Sequence, residues 1–287
     1  MKRDLCDLHA HSMFSDGTYT PEELIAEAER AGLSAVALTD HNTVSGLPAF
    51  LAAAEGSSVR AIPGIEISSD YGQYELHIVG LFVNPESYDA IREKVSVIRE
   101  NKKKSNQNLV VALRAAGYDV DYDDLCARVP GGVFNRSLVG EALMEKGYVS
   151  SVSEAFDTIL SKKHGIYKEP RRLPVFEVIG FLRSIGAVPV IAHPFLSIQD
   201  ENDLRTFLGE AVEHGLCGME TRYSTYDEET SAKAAALAEE FGLLHSGGSD
   251  FHGGRKPGIY LGEGYGTLEV PVEFLEMLEQ KKDCYEN

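Results

Sequence analysis

Cysteine is scarce in this chain, and no long hydrophobic run is present. The four cysteines among 287 residues are widely scattered, at Cys6, Cys126, Cys217 and Cys284. They show neither zinc-finger spacing nor the pattern of a small disulfide scaffold, so we expect a reducing compartment. No apolar run approaches the roughly 18 residues that a membrane-spanning helix needs. The start, Met-Lys-Arg-Asp, shows no secretory signal, and we therefore expect a cytoplasmic protein with no membrane partner.

Basic residues are also in short supply. Lys and Arg number 27 against 45 Asp and Glu, which gives a formal net charge of −18. This charge opposes nonspecific adsorption to nucleic acid or anionic lipid. A long polyanion would have to be attracted locally, by metal ions and a few basic side chains. The composition therefore favours a small substrate over long nucleic acid.

Predicted strands and helices alternate in the first third of the chain. Thr20-Pro21-Glu22-Glu23 is typical of a helix start, with Thr20 as N-cap and Glu23 completing a capping box. This helix ends at Gly32. It is followed by a strand over 33–39, a helix over 48–55 and a strand over 59–67. Parallel strands joined by crossover helices have this pattern.

The next connection is too short for a crossover. Only residues 68–73 separate the strand that ends at Ile67 from a strand over 74–83. Because a parallel connection needs a dozen or more residues, we predict an antiparallel hairpin here. Glu66, near the end of one strand, and His77, near the start of the next, are then expected at the same edge of the sheet.

The alternation stops at about residue 86 and resumes after 173. We predict a helical insertion over 100–170, between a first barrel part, 1–99, and a second part, 171–287. Within the interruption we predict helices over 87–116, 137–146 and 153–161. Beyond it we predict helices over 175–185, 204–214 and 228–241, with strands over 187–192, 218–222 and 243–249. The fold class is α/β, and about seven strands predict a small or distorted barrel with its chemistry at the carboxyl ends of the strands.

Histidines and carboxylates recur at these strand ends. His9 and His11 stand two apart in a strand, so both side chains point the same way, and Asp16 follows in a Ser-Asp-Gly turn. The candidate metal ligands are His9, His11, Asp16, His41, Glu66, His77, His193, Asp250 and His252. Mixed imidazole and carboxylate ligands suit Mn²⁺, Fe²⁺ or Zn²⁺ better than Ca²⁺ or Mg²⁺. Nine ligands exceed what one ion can use, so we predict two to three divalent transition-metal ions, with Mn²⁺ preferred.

The pattern resembles the PHP (polymerase and histidinol phosphatase) superfamily of metal-dependent phosphoesterases. The matching stretches, in chain order, are Asp-Leu-His-Ala-His-Ser, Ser-Asp-Gly-Thr, Leu-Thr-Asp-His, Gly-Ile-Glu-Ile-Ser, Leu-His-Ile-Val-Gly, Ile-Ala-His-Pro and Gly-Ser-Asp-Phe-His. The resemblance implies a distorted seven-stranded (β/α) barrel of the PHP type with three metal ions. The implied ligand sets are His9, His11, Glu66 and Asp250 for one ion, Glu66, His77 and His193 for a second, and Asp16, His41 and His252 for the third.

The branch of the superfamily is indicated by Asp16, where other branches often have histidine. The resemblance is to the stand-alone branch that contains AMP-type and nucleoside 3′,5′-bisphosphate phosphatases and a 5′-to-3′ exoribonuclease. This branch carries a helical insertion with an Arg-Pro-His-type motif that faces the substrate. The corresponding stretch here is Phe134-Asn135-Arg136-Ser137-Leu138, in which Arg136 matches and Leu138 replaces the histidine.

The resemblance implies hydrolysis of a nucleotide phosphomonoester by metal-activated water. Glu66, Asp250 and Arg136 are the expected catalytic residues, and the insertion is expected to cap the active site. Arg136 is also a candidate phosphate clamp, with Arg222 and Lys256 as further substrate-binding candidates. No nucleophilic serine or cysteine motif is present, so we expect no covalent intermediate.

Three other functions remain compatible with the sequence. The same cluster can cleave a diester, so a 5′-3′ exonuclease acting on short RNA or DNA is the first alternative. A histidinol-phosphate phosphatase is disfavoured by Asp16 and by the insertion. A PHP domain that has lost catalysis and serves as a binding module would lack one or more ligands, whereas all nine are present.

Overall fold

The computed structural model describes residues 4–129, 132–161, 166–168 and 170–283. Cys284, named above among the four cysteines, lies outside the described residues. The chain divides into two compact units. The first unit comprises Met1–Val95 and Leu173–Asn287, and the second comprises Ser96–Arg172. The first unit is therefore assembled from two separate stretches of sequence.

A mixed sheet forms the centre of the first unit. Its strands are β1 (Cys6–Asp7), β2 (Ala35–Leu38), β3 (Arg60–Tyr71), β4 (Tyr74–Leu81), β5 (Leu173–Pro174), β6 (Val188–Ile191), β7 (Gly218–Tyr223) and β8 (Leu244–Gly248). Seven of them follow the order β1-β2-β3-β4-β6-β7-β8, and β5 pairs with β3 beside this path. The pairs on either side of β4 are antiparallel and the other pairs are parallel.

The two ends of the sheet approach each other. Beyond β1 and β8, the Leu8 amide donates to the Gly247 carbonyl at 3.1 Å, and the Asp250 amide donates to the His9 carbonyl at 2.8 Å. Ala10 and Phe251 form a parallel bridge at the same seam. The sheet is thus nearly closed, and the prediction of a distorted seven-stranded α/β barrel is confirmed.

Helices connect the strands of the first unit and make up most of the second. They are α1 (Pro21–Ala31), α2 (Leu47–Ala53), α3 (Tyr88–Ala115), α4 (Tyr122–Ala127), α5 (Arg136–Glu145), α6 (Val152–Asp157), α7 (Val175–Ser184), α8 (Pro194–Ser197), α9 (Glu201–Glu213), α10 (Glu228–Glu240) and α11 (Val272–Asp283). The predicted capping box is present at α1. The Thr20 side chain accepts a hydrogen bond from the Glu23 backbone amide, and the Glu23 side chain accepts one from the Thr20 backbone amide. No helix among these described elements is both long and apolar enough to cross a membrane.

The predicted hairpin is present but longer than expected. Strand β3 continues to Tyr71 and turns through Gly72 and Gln73 into β4, with Ser68 opposite His77. Glu66 therefore lies in the middle of its strand, not near the end as the sequence suggested. The reason is that β4 keeps pairing with β3 beyond the point where parallel pairing to β2 has stopped at Pro63. Glu66 still meets the end of β2 through a bridge to His41.

Each unit has its own hydrophobic core. In the first unit, buried apolar side chains of the sheet pack together, among them Cys6, Leu8, Val79, Leu81, Val188 and Val190. In the second unit, the core contains Leu109, Leu113, Phe134, Val139, Leu143 and Leu160. The first core supports the sheet edge at which the candidate ligands meet.

Candidate metal centre

His9 and His11 follow β1 on alternate positions and are fully buried. Their Nε2 atoms lie 3.1 Å apart. Asp250 Oδ1 lies 3.2 Å from His11 Nε2 and 3.7 Å from His9 Nε2. The predicted His-x-His pair thus directs both rings at one point, and the loop after β8 adds a carboxylate to it.

Glu66 is at the centre of the cluster and is completely buried. Its two oxygens lie 2.7–3.4 Å from imidazole nitrogens of His9, His11, His41, His77 and His193. Oε1 faces His77 and His193, at 3.0 and 3.3 Å, while Oε2 faces His41 at 2.7 Å. Each oxygen is therefore surrounded by a different set of imidazoles.

Asp16 forms the third part of the cluster. Its Oδ1 lies 3.1 Å from His252 Nε2, and its Oδ2 lies 3.7 Å from His41 Nε2. His252 also connects to Asp250, with 3.3 Å between its Nδ1 and Asp250 Oδ1. All nine candidate ligands are thus brought together in the first unit.

Three groups of these side chains have ligand atoms close enough to share an ion. They are His11, Asp16, His41 and His252; His9, His11 and Asp250; and His41, Glu66 and His77. His193 joins through its 3.3 Å approach to Glu66. His11 and His41 each belong to two groups, so the division of ligands among individual ions stays a prediction.

The carboxylates of the cluster are held in the charged form. Burial raises the pKa of Glu66, but His41, His77 and His9 outweigh it and set that pKa well below its ordinary value. Burial also raises the pKa of Asp250, but the charges of His252, Lys256 and His9 outweigh it, so this pKa is lowered as well. Charged carboxylates are the state that binds a cation.

His11 and His77 differ in the direction in which their surroundings shift the pKa. Burial, together with His252 and His41, lowers the pKa of His11 to about 3, so its ring is neutral. Burial acts in the same direction on His77, but Glu66 outweighs it and raises the pKa of His77 to about 10. His77 therefore carries a proton that a metal ion would have to displace.

The unsatisfied atoms of the cluster fit divalent metal ions. Both oxygens of Glu66 are buried and, among the described residues, accept no hydrogen bond of normal geometry. His77 Nδ1 and His193 Nδ1 are in the same condition. Leaving buried polar atoms without partners is costly, and a cation would satisfy the carboxylate oxygens. The donor set of imidazoles and carboxylates is also the one that transition metals prefer.

Asp40 and Asp7 are buried carboxylates behind the ligands that the sequence reasoning missed. Asp40 accepts the Ser12 amide at 2.8 Å and the Ser12 and Ser15 hydroxyls, each at 2.6 Å. These bonds hold the turn that carries Asp16. Their only sequence signal is the position of Asp40 directly before a candidate ligand.

Asp7 joins three chain segments. Its carboxylate accepts the amides of His9, Ser249 and Gly262, at 3.2, 2.9 and 2.7 Å. Burial raises the pKa of Asp7, and these hydrogen bonds lower it, with burial the larger effect. The bonds fix the start of the His-x-His stretch relative to the loop that carries Asp250.

Tyr223 and Glu220, both on β7, reach the cluster and were also missed. The Tyr223 hydroxyl donates to Asp250 Oδ2 at 2.7 Å. Burial and the neighbouring Asp250 raise the pKa of Tyr223, which keeps it a donor. Glu220 Oε1 lies 2.8 Å from His9 Nδ1. A single carboxylate or tyrosine in an apolar strand gives no local signal of such a contact.

The three substrate-binding candidates have different surroundings. Lys256 Nζ lies 2.6 Å from Asp250 Oδ2, so this lysine is at the cluster. Arg222 is exposed on β7 and lines a cavity of about 470 Å³ together with Tyr226, Asp227 and Glu269. Arg136 belongs to the second unit. Its guanidinium lies over the rings of Phe156 and Tyr167, 5.2 and 4.2 Å from the centroids.

Two relatives with a similar sequence are named as a phosphatase and an exoribonuclease. A family model described as the PHP domain matches residues 7–162. A 3′,5′-nucleoside bisphosphate phosphatase of Chromobacterium violaceum is 29% identical over 257 residues, covering 88% of this chain and 90% of that protein. A 5′-3′ exoribonuclease of Haemophilus influenzae is 29% identical over 250 residues, covering 86% of this chain and 89% of that protein.

A solved structure resembles the whole chain. It is a protein of Bifidobacterium adolescentis assigned as a metal-dependent phosphoesterase, with a TM-score of 0.83 and 26% identity. The match covers 98% of this chain and 96% of that one. The similarity therefore extends over both chain segments that carry the cluster.

Proposed function

The chain belongs to the PHP domain family, and from that premise we propose that it hydrolyses a phosphomonoester of a nucleotide, of the AMP or nucleoside 3′,5′-bisphosphate type. The observation that carries the proposal is the buried cluster around Glu66, with five imidazole nitrogens within 3.4 Å of its oxygens. Phosphoryl transfer depends on positioning and charge neutralisation, so an enzyme of this class needs no protein nucleophile. The chain is a hydrolase that acts on phosphoric ester bonds.

The cofactors are proposed to be two to three divalent transition-metal ions, Mn²⁺ in preference to Fe²⁺ or Zn²⁺, held by the nine residues of the cluster. When bound, such ions supply Lewis acidity to the phosphoryl group and lower the pKa of water. The protein's own contribution is to hold the ligands in place. Tyr223 fixes one oxygen of Asp250 by its hydrogen bond, and Asp40 fixes the turn of Asp16.

Phosphate recognition is assigned to basic side chains. Lys256 is well placed, because its ammonium group already lies 2.6 Å from a ligand carboxylate. Arg136 is proposed to clamp a phosphate, and the segment 100–170 to cap the active site, by resemblance to the branch described above. Arg222 stays a weaker candidate. The formal net charge of −18 favours a small anion over a long polyanion.

The cellular location is proposed to be the cytoplasm. The cysteines of the described residues, Cys6, Cys126 and Cys217, are all free thiols. Free thiols are typical of a reducing compartment.

A panel assay tests the function. Protein reconstituted with Mn²⁺, Fe²⁺ or Zn²⁺ is incubated with adenosine 3′,5′-bisphosphate, AMP, histidinol phosphate and a short 5′-phosphorylated RNA, and inorganic phosphate and nucleotides are measured. We expect phosphate release from AMP or the bisphosphate. Protein that binds metal but releases phosphate from none of the nucleotides would overturn the proposal.

A second function is favoured by the similarity to a 5′-3′ exoribonuclease over 86% of the chain. The same assay separates the two activities. Release of mononucleotides from the 5′ end of the RNA, faster than phosphate release from AMP or the bisphosphate, would make the exonuclease the main activity.

A further inference from the structure

Glu220 is a buried carboxylate that contacts two of the candidate metal ligands. It lies on β7, is 1% exposed, and has no lysine or arginine partner among the described residues. A buried carboxylate is costly unless its oxygens are hydrogen-bonded. Glu220 is satisfied entirely by two metal-ligand residues, His9 and His193.

The first of its contacts determines which ring nitrogen of His9 carries the proton. Glu220 Oε1 lies 2.8 Å from His9 Nδ1, and both side chains are buried. Because a carboxylate only accepts hydrogen bonds, this contact requires the proton on Nδ1. The lone pair is then on Nε2, the atom that lies 3.3 Å from Glu66 and 3.1 Å from His11 Nε2. A carboxylate behind a metal-binding histidine commonly fixes the tautomer in this way.

The second contact stabilises the backbone conformation of His193. Its amide donates to Glu220 Oε2 at 2.6 Å. His193 has φ 32° and ψ 52°, in the left-handed region that residues other than glycine rarely adopt. The hydrogen bond holds this residue in a strained conformation, from which its Nε2 reaches to 3.3 Å from Glu66. One carboxylate thus controls a ring that follows β1 and a main-chain turn that follows β6.

We propose that Glu220 is a positioning residue that presets His9 and His193 for metal binding. The inference rests on the proposed metal-dependent function and names a group that supports it. The side-chain contacts of Glu220 are with His9 and His193, so in this role it acts through them and not on the substrate. It acts by presenting two ligands in the geometry and tautomer that an ion needs.

Glu220→Gln tests this with almost no change of shape. A glutamine side chain has one acceptor oxygen and one NH₂ donor, whereas His9 Nδ1–H and the His193 amide each need an acceptor. The His193 amide can only donate, so the amide oxygen must face it, and the NH₂ must face His9 Nδ1. His9 is then forced to carry its proton on Nε2, the atom intended for the metal. The opposite orientation of the amide leaves two donors facing each other at His193.

We expect Glu220→Gln to bind Mn²⁺ about 10- to 100-fold more weakly than wild type, the usual cost of losing such a support. Metal binding is measured by competition with a chromophoric chelator, which does not depend on activity. The matched control is Glu213→Gln, which removes the same charge from an exposed position on α9. It should bind metal as the wild type does.

The tautomer of His9 gives a readout that a merely structural role would not change. In metal-free protein with ¹⁵N-labelled imidazoles, at a pH high enough for the His9 ring to be neutral, we expect its single proton on Nδ1 in wild type and on Nε2 in Glu220→Gln. Circular dichroism and thermal unfolding establish that the variant is folded. If it is not folded, the wild-type tautomer still decides, since a proton on Nε2 there would overturn the proposal.

The outcomes separate this inference from the function on which it rests. Wild-type metal affinity in folded Glu220→Gln overturns the positioning role and leaves the phosphoesterase proposal standing. The expected loss of affinity supports the positioning role even if wild-type protein hydrolyses no nucleotide, a result that would overturn only the proposed function.

Discussion

Glu66 contacts five histidines of the cluster of candidate metal ligands. Its oxygens face imidazoles on two sides, Oε1 towards His77 and His193 and Oε2 towards His41. Glu66→Gln keeps the shape and removes the charge, so cations in the cluster would repel each other with less compensation. We expect loss of at least one metal ion per chain and of nearly all phosphatase activity, with the fold retained.

Asp16→Asn is the companion variant for this prediction. Asp16 contacts His252 and His41 at the rim of the cluster, so the change should be milder. Elemental analysis and turnover numbers for both proteins test the expectation. A Glu66→Gln enzyme with full metal content and a near-normal rate would show that Glu66 does not bridge.

Arg136 is the residue whose role rests on resemblance. If it grips a substrate phosphate, Arg136→Ala should lower kcat/KM by one to three orders of magnitude, or about 1.4–4 kcal/mol. Metal content should not change. Arg136→Lys is a useful comparison, because lysine keeps the charge but lacks the planar fork that binds phosphate bidentately.

An unchanged kcat/KM in Arg136→Ala would contradict a phosphate contact. The guanidinium also lies over the Tyr167 ring, 4.2 Å from its centroid. A fall in thermal stability without a fall in kcat/KM would therefore assign Arg136 to packing within the second unit.

The clustering of the nine candidate ligands could be predicted from sequence because each of them has a local signal. Histidines and carboxylates at strand ends are recognisable one motif at a time, and the structure brings them together. The supports behind them were missed, because their partners are distant in the chain. Glu220, for example, stands 211 residues from His9, and nothing around it distinguishes it from a buried acid with another partner.

At the scale of elements, the most accurate predictions were of helix ends that are marked by capping residues. The start of α1 was recognised from Thr20, Pro21 and Glu23, and its end from Gly32, which has φ 72°. The far end of β3 was not recognised, because Ser68 to Tyr71 carry no strong apolar alternation and are ordered by pairing with β4. Helices α4 and α11 were also missed.

The cap of α1 provides a test at this scale. The Thr20 side chain accepts the Glu23 amide at 3.2 Å. Thr20→Ala removes this acceptor and should lower the free energy of unfolding by about 1 kcal/mol. Thr20→Ser keeps the hydroxyl and should lie close to wild type. Urea unfolding of the three proteins measures the difference, and equal midpoints with equal slopes would show that the cap contributes nothing.

At the scale of the whole molecule, metal binding and stability are linked through pH. Burial lowers the pKa of His77, but Glu66 raises it from 6.5 to about 10 in the metal-free fold. A raised pKa stabilises the folded state fully below 6.5, and this contribution is lost as the pH rises through about 10. A metal ion binds the neutral ring of His77. The affinity for the ion therefore increases as the pH rises and His77 loses its proton.

We therefore expect the Tm of metal-free protein to fall between pH 6.5 and about 10, and the gain in Tm on adding Mn²⁺ to increase over the same range. Thermal unfolding in chelator and in excess Mn²⁺, at several pH values, measures both. A gain in Tm that shrinks as the pH rises would contradict the prediction. His77→Asn is the control variant, in which the fall in metal-free Tm should be reduced.

The two-segment construction of the first unit has a consequence for biosynthesis. Six of the nine ligands precede residue 96, and the other three, His193, Asp250 and His252, follow residue 172. The seam between β1 and β8 also needs the amide of Asp250. A nascent polypeptide stalled before residue 250 therefore has neither a closed barrel nor a full ligand set. The complete set of nine candidate ligands can therefore assemble only in a chain that has been translated past residue 252, whereas the group of His41, Glu66 and His77 is already encoded in the first segment.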